Sequence, residues 1–516
     1  MLQSKEVYKE LNKAYYGLMH IVLLVAYMAL ARIKNPEQLR GHKPGELGKI
    51  LGLDRVPEAK CLRGKISEIA SQKEAKTLSI KLTDLWIKLD KQQGGYYYID
   101  GHVKIYNGKK ANRPKIHVSR QKLCMPGTID WWVNDWMGKP YFFVTGEVNE
   151  KLLKIVDNEI IPQLKDELKA SASQEELDAN PNLPRFTLIF DREGYSPKQW
   201  KKWWQESRIA IISYRKNIYD LWDENDFSEM NVMVAGKMQK MKIAEKEVVV
   251  EGIKLREIRK LSSSSKQTAM YTTNYIKSTE ELAGRMFSRW SQENYFKYMT
   301  ADYDIDHIIE YAYSEVDGSI KVVNPLYREK TKILEKTRSK LQRARAQYMK
   351  LCDDTLKEDA KENSKIFLKK ATLKEDIEHL KQQEQKQFLD RKTVKYHIPV
   401  SEMKETEKYN KLSTEKKLFW ELIKMIAFRA ETTVVNLLSE FYVKSIDQGR
   451  MLAKEIINSN ANLIPDYKNK TLTVELHSLS TPRANKAVEN ICSTLNESRT
   501  IYPTTNLRLI FKSGVE

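Results

Sequence analysis

Four cysteines are few for a chain of 516 residues, and Cys61, Cys124, Cys352 and Cys492 stand far apart with no histidine at zinc-finger spacing. A disulfide framework and a zinc module are therefore excluded as organising devices, and a reducing, cytoplasmic setting fits. No GxxxxGK(S/T) loop and no GxGxxG turn occurs, which removes nucleotide-driven motors and dinucleotide enzymes. The most apolar run, Ile21–Ala31, is flanked by His20 and Arg32 and is about half the span a bilayer needs. No membrane partner is expected. Proline is missing between Pro325 and Pro399, and no glycine follows Pro325 until Gly449, so little interrupts helix there. Acidic charge is short as well: 69 Asp and Glu against 88 Lys and Arg leave a formal net charge of +19. An excess of that size favours a polyanionic partner.

The chain is long enough for three or four domains. Residues 1–92 read as helical, with Leu18, Ile21, Val22, Val25 and Met28 at helical spacing. Within them, about 44–70 reads as helix, turn at Gly52, and a second helix entered at Pro57. This is a candidate helix-turn-helix presenting Lys60, Arg63 and Lys65; an ordinary helical corner has the same pattern. From residue 93 strands take over: Tyr96–Ile99, then His102–Tyr106 before the Asn107-Gly108 turn, then Tyr141–Val144. A helix from about Asn149 to Leu168 leads to a fourth strand, Phe186–Phe190. This is the opening order of an RNase H-like mixed α/β sheet flanked by helices, in which the first and fourth strands are neighbours. A β-rich insertion fills about 219–266, and Ala269–Thr273 completes a domain running to 324. In 325–398, Leu334, Leu341 and Tyr348 repeat every seven residues, with Thr337, Ala344 and Leu351 between them. This predicts a helical hairpin broken near Asp353-Asp354 or Asp359–Asn363. Residues 399–516 read as helix followed by a small α+β tail.

Three acids carry the chemistry. Asp100 ends the run Tyr96–Ile99, Asp191 ends Phe186–Phe190, and Glu293 lies on a helix one turn after Arg289. Two carboxylates at strand ends and one on a helix face can converge on divalent cations that stabilise the attacking and leaving oxygens of a phosphodiester. One Asp at a strand end is usually a turn former; the pattern rests on all three in this order. Arg289 can hold Glu293 or grip a phosphate. Trp290, Tyr295, Phe296 and Tyr298 make this helix unusually aromatic. Asp130, Glu193, Asp302, Asp304 and Asp306 are read as structural or supporting acids.

Three segments, Tyr98-Ile99-Asp100-Gly101-His102, Phe190-Asp191-Arg192-Glu193-Gly194-Tyr195-Ser196 and Arg289-Trp290-Ser291-Gln292-Glu293-Asn294-Tyr295, together resemble the DDE-type transposases of bacterial insertion sequences. That resemblance implies an RNase H-like catalytic domain, with Asp100, Asp191 and Glu293 as metal ligands and Mg²⁺ as the metal, Mn²⁺ substituting. A signature of Tyr, Arg, Glu and Lys in the subgroup with a β-rich insertion is matched at Arg289 and Glu293. Met286 and Thr300 stand at its other two positions, with Lys297 three residues early. The departure touches hairpin-forming chemistry and leaves the triad.

The expected activity is metal-dependent cleavage at transposon ends followed by strand transfer into target DNA. Asp100 would bridge two metals, with Asp191 and Glu293 each securing one. Arg192, Lys198, Lys201, Lys202, Arg289 and Lys297 are the expected phosphate contacts near the site, with Lys60 and Arg63 on the N-terminal helix. The partner is double-stranded DNA, a homodimer would handle paired ends, and the setting is bacterial and nucleoid-associated. About 6–10 phosphate contacts would weaken binding roughly 10³–10⁵-fold between 50 and 200 mM salt. The alternatives are a nuclease that cuts without joining, a transposase-derived DNA binder with an idle triad, and a scaffold built on the 326–398 helices.

Overall fold

Burial on both faces of its central strands explains the architecture. A computed structural model describes residues 2–12, 15–90, 95–118, 121–146, 150–165, 172–307, 312–354, 363–440 and 446–515. Five helices come first: α1 (Leu2–Val7), α2 (Leu18–Leu30), α3 (Pro44–Ile50), α4 (Ala59–Ser71) and α5 (Ala75–Leu89). Strands β1 (Tyr96–Ile105), β2 (Lys115–Val118), β3 (Leu123–Asn134) and β4 (Pro140–Thr145) follow. Next come α6 (Leu152–Ile155), a π-helical turn, α7 (Ile161–Leu164), α8 (Gln174–Ala179), β5 (Phe186–Phe190), α9 (Pro197–Ser207) and β6 (Ile209–Tyr214). Four more strands, β7 (Ser228–Val234), β8 (Lys237–Val250), β9 (Ile253–Leu261) and β10 (Gln267–Thr272), lead into α10 (Thr279–Phe287) and α11 (Trp290–Tyr303). Beyond these lie β11 (Tyr313–Glu315), β12 (Lys321–Val323), α12 (Pro325–Asp354), α13 (Asn363–Lys392), β13 (His397–Pro399) and β14 (Asn410–Leu412). The chain finishes with α14 (Glu415–Ser439), α15 (Ile446–Ile457), β15 (Ala461–Asp466), β16 (Thr471–His477), α16 (Pro482–Glu497) and β17 (Arg508–Val515).

Two compact units result: residues 1–107, 115–312 and 412–516 form one, and 108–114 with 313–411 form the other. The first is mixed α/β around a ten-stranded sheet ordered β2-β3-β1-β5-β6-β10-β9-β8-β7, with β4 also on β3. β1 runs antiparallel to β3 and parallel to β5, and β6 is parallel to β5. The segment expected as a β-rich insertion is the meander β7–β8–β9, joined to the sheet through β10. In the second unit α12 and α13 pack along a seam that includes the buried Leu334, Thr337, Leu341 and Ala344. Part of the expected hairpin break, 355–362, lies outside the described residues, as do Asn149 and 166–168 of the helix expected before β5 and the strand-opening Gly94. Among the described residues no helix is long and apolar enough to cross a membrane.

Expectation and structure differ at the first hairpin. Tyr96–Ile99 and His102–Tyr106 are not two strands: Tyr96–Ile105 is one, and its antiparallel partner is β3. β3 is masked in the sequence by Pro126 and Gly127 and by the charge of Asp130. That charge is tolerated because it belongs to a buried ionic cluster. Lys104 on β1 lies 3.1 Å from Asp130 and 3.1 Å from Glu421 of α14, and Lys417 also pairs with Asp130. Burial alone would raise the Asp130 carboxyl, but the Lys417 and Lys104 ammonium groups outweigh it and hold it at about 2.

Candidate active site

Strand periodicity aims the first two acids. Side chains two apart along a strand share a face. Tyr96 and Tyr98 of β1 and Ile189 of β5 enter the core that also takes Leu282, Ala283 and Met286 of α10. Tyr97 and Ile99, with Leu188 and Phe190, enter the core on the other face. Asp100 follows Tyr98, and Asp191 follows Ile189, so both carboxylates inherit the α10 side of the sheet. The β1–β5 register ends at Ile99 opposite Phe190, which leaves Asp100 and Asp191 side by side where pairing stops. Asp100 is thus inside β1 rather than at its end, at the point where β1 outruns its neighbour.

The third acid is delivered by a break in the helix. Instead of one helix carrying Met286, Arg289 and Glu293, α10 stops at Phe287 and α11 starts at Trp290. The Ser288 hydroxyl donates to the Gly284 carbonyl at 2.7 Å and accepts from the Ala235 N–H at 2.9 Å. Arg289 sits at this junction, and Glu293 lies one turn into α11. Gln292 locks the turn to the sheet: its buried amide donates to the carbonyls of Tyr98 (3.2 Å) and Trp132 (3.3 Å) and to Asn134 Oδ1 (3.0 Å). Nothing in the sequence marks Gln292 for that role.

The three acids meet on one guanidinium. Arg289 donates to Asp100 Oδ2 at 3.2 Å and to Glu293 Oε1 at 2.9 Å, and its Nη2 is 3.7 Å from Asp191 Oδ2. Its side chain is only 12% exposed. Burial works against the Arg289 charge, but the three carboxylates outweigh it and raise its pKa. Desolvation pushes the Asp100 carboxyl up, against the pull of Arg289 and of the Gly101 N–H; the charges of Asp191 and Glu293 push it further. Glu193 adds a fourth carboxylate whose pKa is raised by desolvation and then by Asp100 and Asp191.

Three carboxylates make an oxygen-only donor set, which suits a hard divalent cation. Their common focus is already a site for positive charge. With Arg289 between them, no group of three or more His, Cys, Asp or Glu side chains among the described residues is placed to hold a metal directly. Shared ligation by all three therefore requires Arg289 to move out. The donor set fits a divalent ion on that condition.

Backbone geometry at Asp191 is tightly constrained. Its carboxylate accepts from the Arg192 N–H at 2.6 Å, opening a 3₁₀ turn through Gly194. A Cβ at Gly194 would lie 2.1 Å from the Phe190 ring, so only glycine passes. Trp200 Nε1 donates to the Gly194 carbonyl at 3.0 Å and ties the turn to α9.

The expected basic contacts separate into groups. Arg192 and Lys198 are exposed beside this turn, and Lys297 is exposed one turn beyond Glu293. Arg192 also lines a cavity of about 400 Å³ with Arg215, Lys266 and Gln267. Lys60 and Arg63 are exposed on α4, in the N-terminal helical layer, and Arg63 is engaged by Glu37. Lys65, expected beside them, is instead buried and paired with Glu68 at 3.0 Å. Of the aromatic residues on α11, Tyr295 and Phe296 are core, Tyr298 is half-buried, and Trp290 is 66% exposed. The acidic residues at and beyond the end of α11 have separate partners: Asp302, in its last turn, pairs with Arg32 and Lys454, and Asp306 with His102.

No curated protein matches this sequence. Among solved structures, a piggyBac transposase synaptic complex with hairpin DNA matches at 12% identity and a TM-score of 0.33. That match covers 58% of this chain and 64% of the other, so less than two thirds of that protein's length is spanned. A family model described as "Transposase protein" matches residues 1–514. With essentially its whole length matched, the chain belongs to this transposase family.

Proposed function

We propose that the chain is a metal-dependent DNA transposase with an RNase H-like core, cutting at transposon ends and joining them to target DNA through Asp100, Asp191 and Glu293. One observation carries the reading: carboxylates from β1, the exit of β5 and α11 converge on a single cationic group. The strand order β4-β3-β1-β5-β6, three antiparallel strands then two parallel ones, supports the RNase H-like core. Asp100, Asp191 and Glu293 would hold Mg²⁺, or Mn²⁺ in its place. Bound there, the metal would supply charge stabilisation to the attacking and leaving oxygens.

Water attacks the end phosphorus and the bond to the 3′ oxygen breaks, leaving a 3′-OH and a 5′-phosphate; that hydroxyl then attacks a target phosphorus, and the target's own P–O3′ bond breaks to release a target 3′-OH. Once released from the acids, Arg289 has guanidinium N–H groups free for phosphate oxygens. Arg192, Lys198 and Lys297 would neutralise the flanking backbone. Two ends joined to one target favour a homodimer on double-stranded DNA.

A second reading, a DNA binder with an idle triad, is favoured by one fact: Arg289 already satisfies all three carboxylates. Plasmid carrying the gene's flanking DNA, incubated with Mg²⁺ or Mn²⁺, separates the readings. Flank-specific nicking and joined products that vanish in Asp191→Asn are expected. Binding without cleavage in either protein selects the idle triad, and cleavage without joined product selects a nuclease.

A further inference from the structure

We propose that the outer face of α12 is a docking surface for the phosphate backbone of double-stranded DNA. This rests on DNA being the substrate of the proposed reaction, and it is independent of the triad. The seam residues Leu334, Thr337, Leu341 and Ala344 are buried against α13. Lys332, Lys336, Lys340, Arg343 and Lys350 follow one another at spacings of four, four, three and seven, which puts them on one face of a helix, away from that seam. All five are exposed. The face runs for about 27 Å at 1.5 Å per residue.

Two features separate it from an ordinary solvated helix. Lys330 and Arg338, placed toward α13, pair with Asp390 at 2.5 Å and Glu384 at 2.8 Å. The five outer cations have no ion pair or hydrogen bond among the described residues. No acid at all occurs between Lys336 and Lys350, whereas α13 mixes signs and forms the Glu378–Lys381 pair at 3.0 Å. Like charges one turn apart, Lys332 with Lys336 and Lys336 with Lys340, destabilise a helix that nothing covers. A row of phosphates removes that repulsion.

The chemistry of the row specifies the partner. Duplex DNA offers a phosphate about every 3.4 Å along each strand, dense enough for cations a helical turn apart to find one each. Lysine, a flexible point charge, predominates over arginine, and so the face suits backbone rather than base edges.

The test uses the full chain and a short fluorescein-labelled duplex of arbitrary sequence, with anisotropy read across a KCl series. Replacing Lys332, Lys336, Lys340 and Arg343 by Gln should lower the slope of log affinity against log salt by about 3–4, near 0.9 per lost phosphate contact. Two controls accompany it. Lys369, Lys374, Lys381 and Lys386 of α13 changed to Gln remove the same charge and should leave most of the slope. Lys332→Arg, Lys336→Arg and Lys340→Arg together should keep it. An equal fall in both Gln variants, or no fall in either, overturns the proposal. If the slope is unchanged while wild type nicks plasmid, only this inference fails. If the slope falls and no protein nicks, this inference stands and the cutting reading fails.

Discussion

Arg289→Gln isolates what the guanidinium does among the three acids. Arg289 and Asp100 are largely buried, with side-chain exposures of 12% and 28%, so their contact belongs with charged hydrogen bonds worth about 1.5–3 kcal/mol. Asp191 and Glu293 are about half exposed, and pairs of that kind contribute about 0.2–1 kcal/mol each. Loss of all three should destabilise the metal-free protein by about 2–5 kcal/mol. Glutamine keeps a hydrogen-bonding head but is shorter and uncharged, so both the charge and the reach to the three carboxylates are lost. Thermal melts in chelator should place the variant several degrees below wild type. Mg²⁺ should then reverse the order of response: the variant offers bare carboxylates, whereas wild type must first displace its own cation. A ligand at a hundredfold its Kd stabilises by about 2.7 kcal/mol, enough to recover much of the deficit. A variant as stable as wild type in chelator, or an equal Mg²⁺ gain in both, would refute the reasoning.

Asp135 is fully buried, and desolvation raises its carboxyl to about 6 although Oδ1 accepts from the Met137 and Lys139 N–H groups. The native state holds its proton more tightly than the unfolded chain, so the stability it confers is complete below about pH 4 and lost as pH rises through about 6. Asp135→Asn keeps the Oδ1 acceptor; urea melts should find it more stable than wild type at pH 7.5 by roughly 2–3 kcal/mol and flat between pH 4 and 6. A destabilised variant at pH 7.5 would contradict the burial argument. Gly194→Ala drives a methyl into the Phe190 ring next to Asp191; overpacking of this kind costs about 1–3 kcal/mol. Nicking should fall together with the melting temperature, and unchanged nicking in the destabilised protein would mean that the turn does not aim Asp191.

What could be read from the residues follows physical lines. β1 and β5 were legible because strands buried on both faces are unbroken apolar runs, and an acid at the end of such a run stands out. The helical N-terminal layer and the α12 seam were legible from spacing alone. β3 was not, since Asp130 looks like a surface residue until its lysine partner, 287 positions away, is brought beside it. The same holds for the junction at Arg289: Ser288 ends α10 by bonding to Ala235 of the β-meander, a tertiary contact with no local trace. Lys65 looked like a DNA contact because it sits two residues beyond Arg63, but helical geometry turns it inward. Gln292 is invisible in the sequence because a neutral amide carries no chemical signal of its own.

The ionic cluster under β1 has a consequence for how the protein is made. Lys104 and Asp130 emerge from the ribosome long before Lys417 and Glu421, and until those arrive the two early charges have only each other, with no second charged partner for either. The sheet around Asp100 therefore gains Lys417 and Glu421 of its buried ionic cluster only when α14 is made. A nascent chain, or a fragment released before α14, would contain all three acids yet lack the late-arriving partners that complete their platform. The order of synthesis thus leaves the ionic platform beneath β1 incomplete until α14 has been delivered.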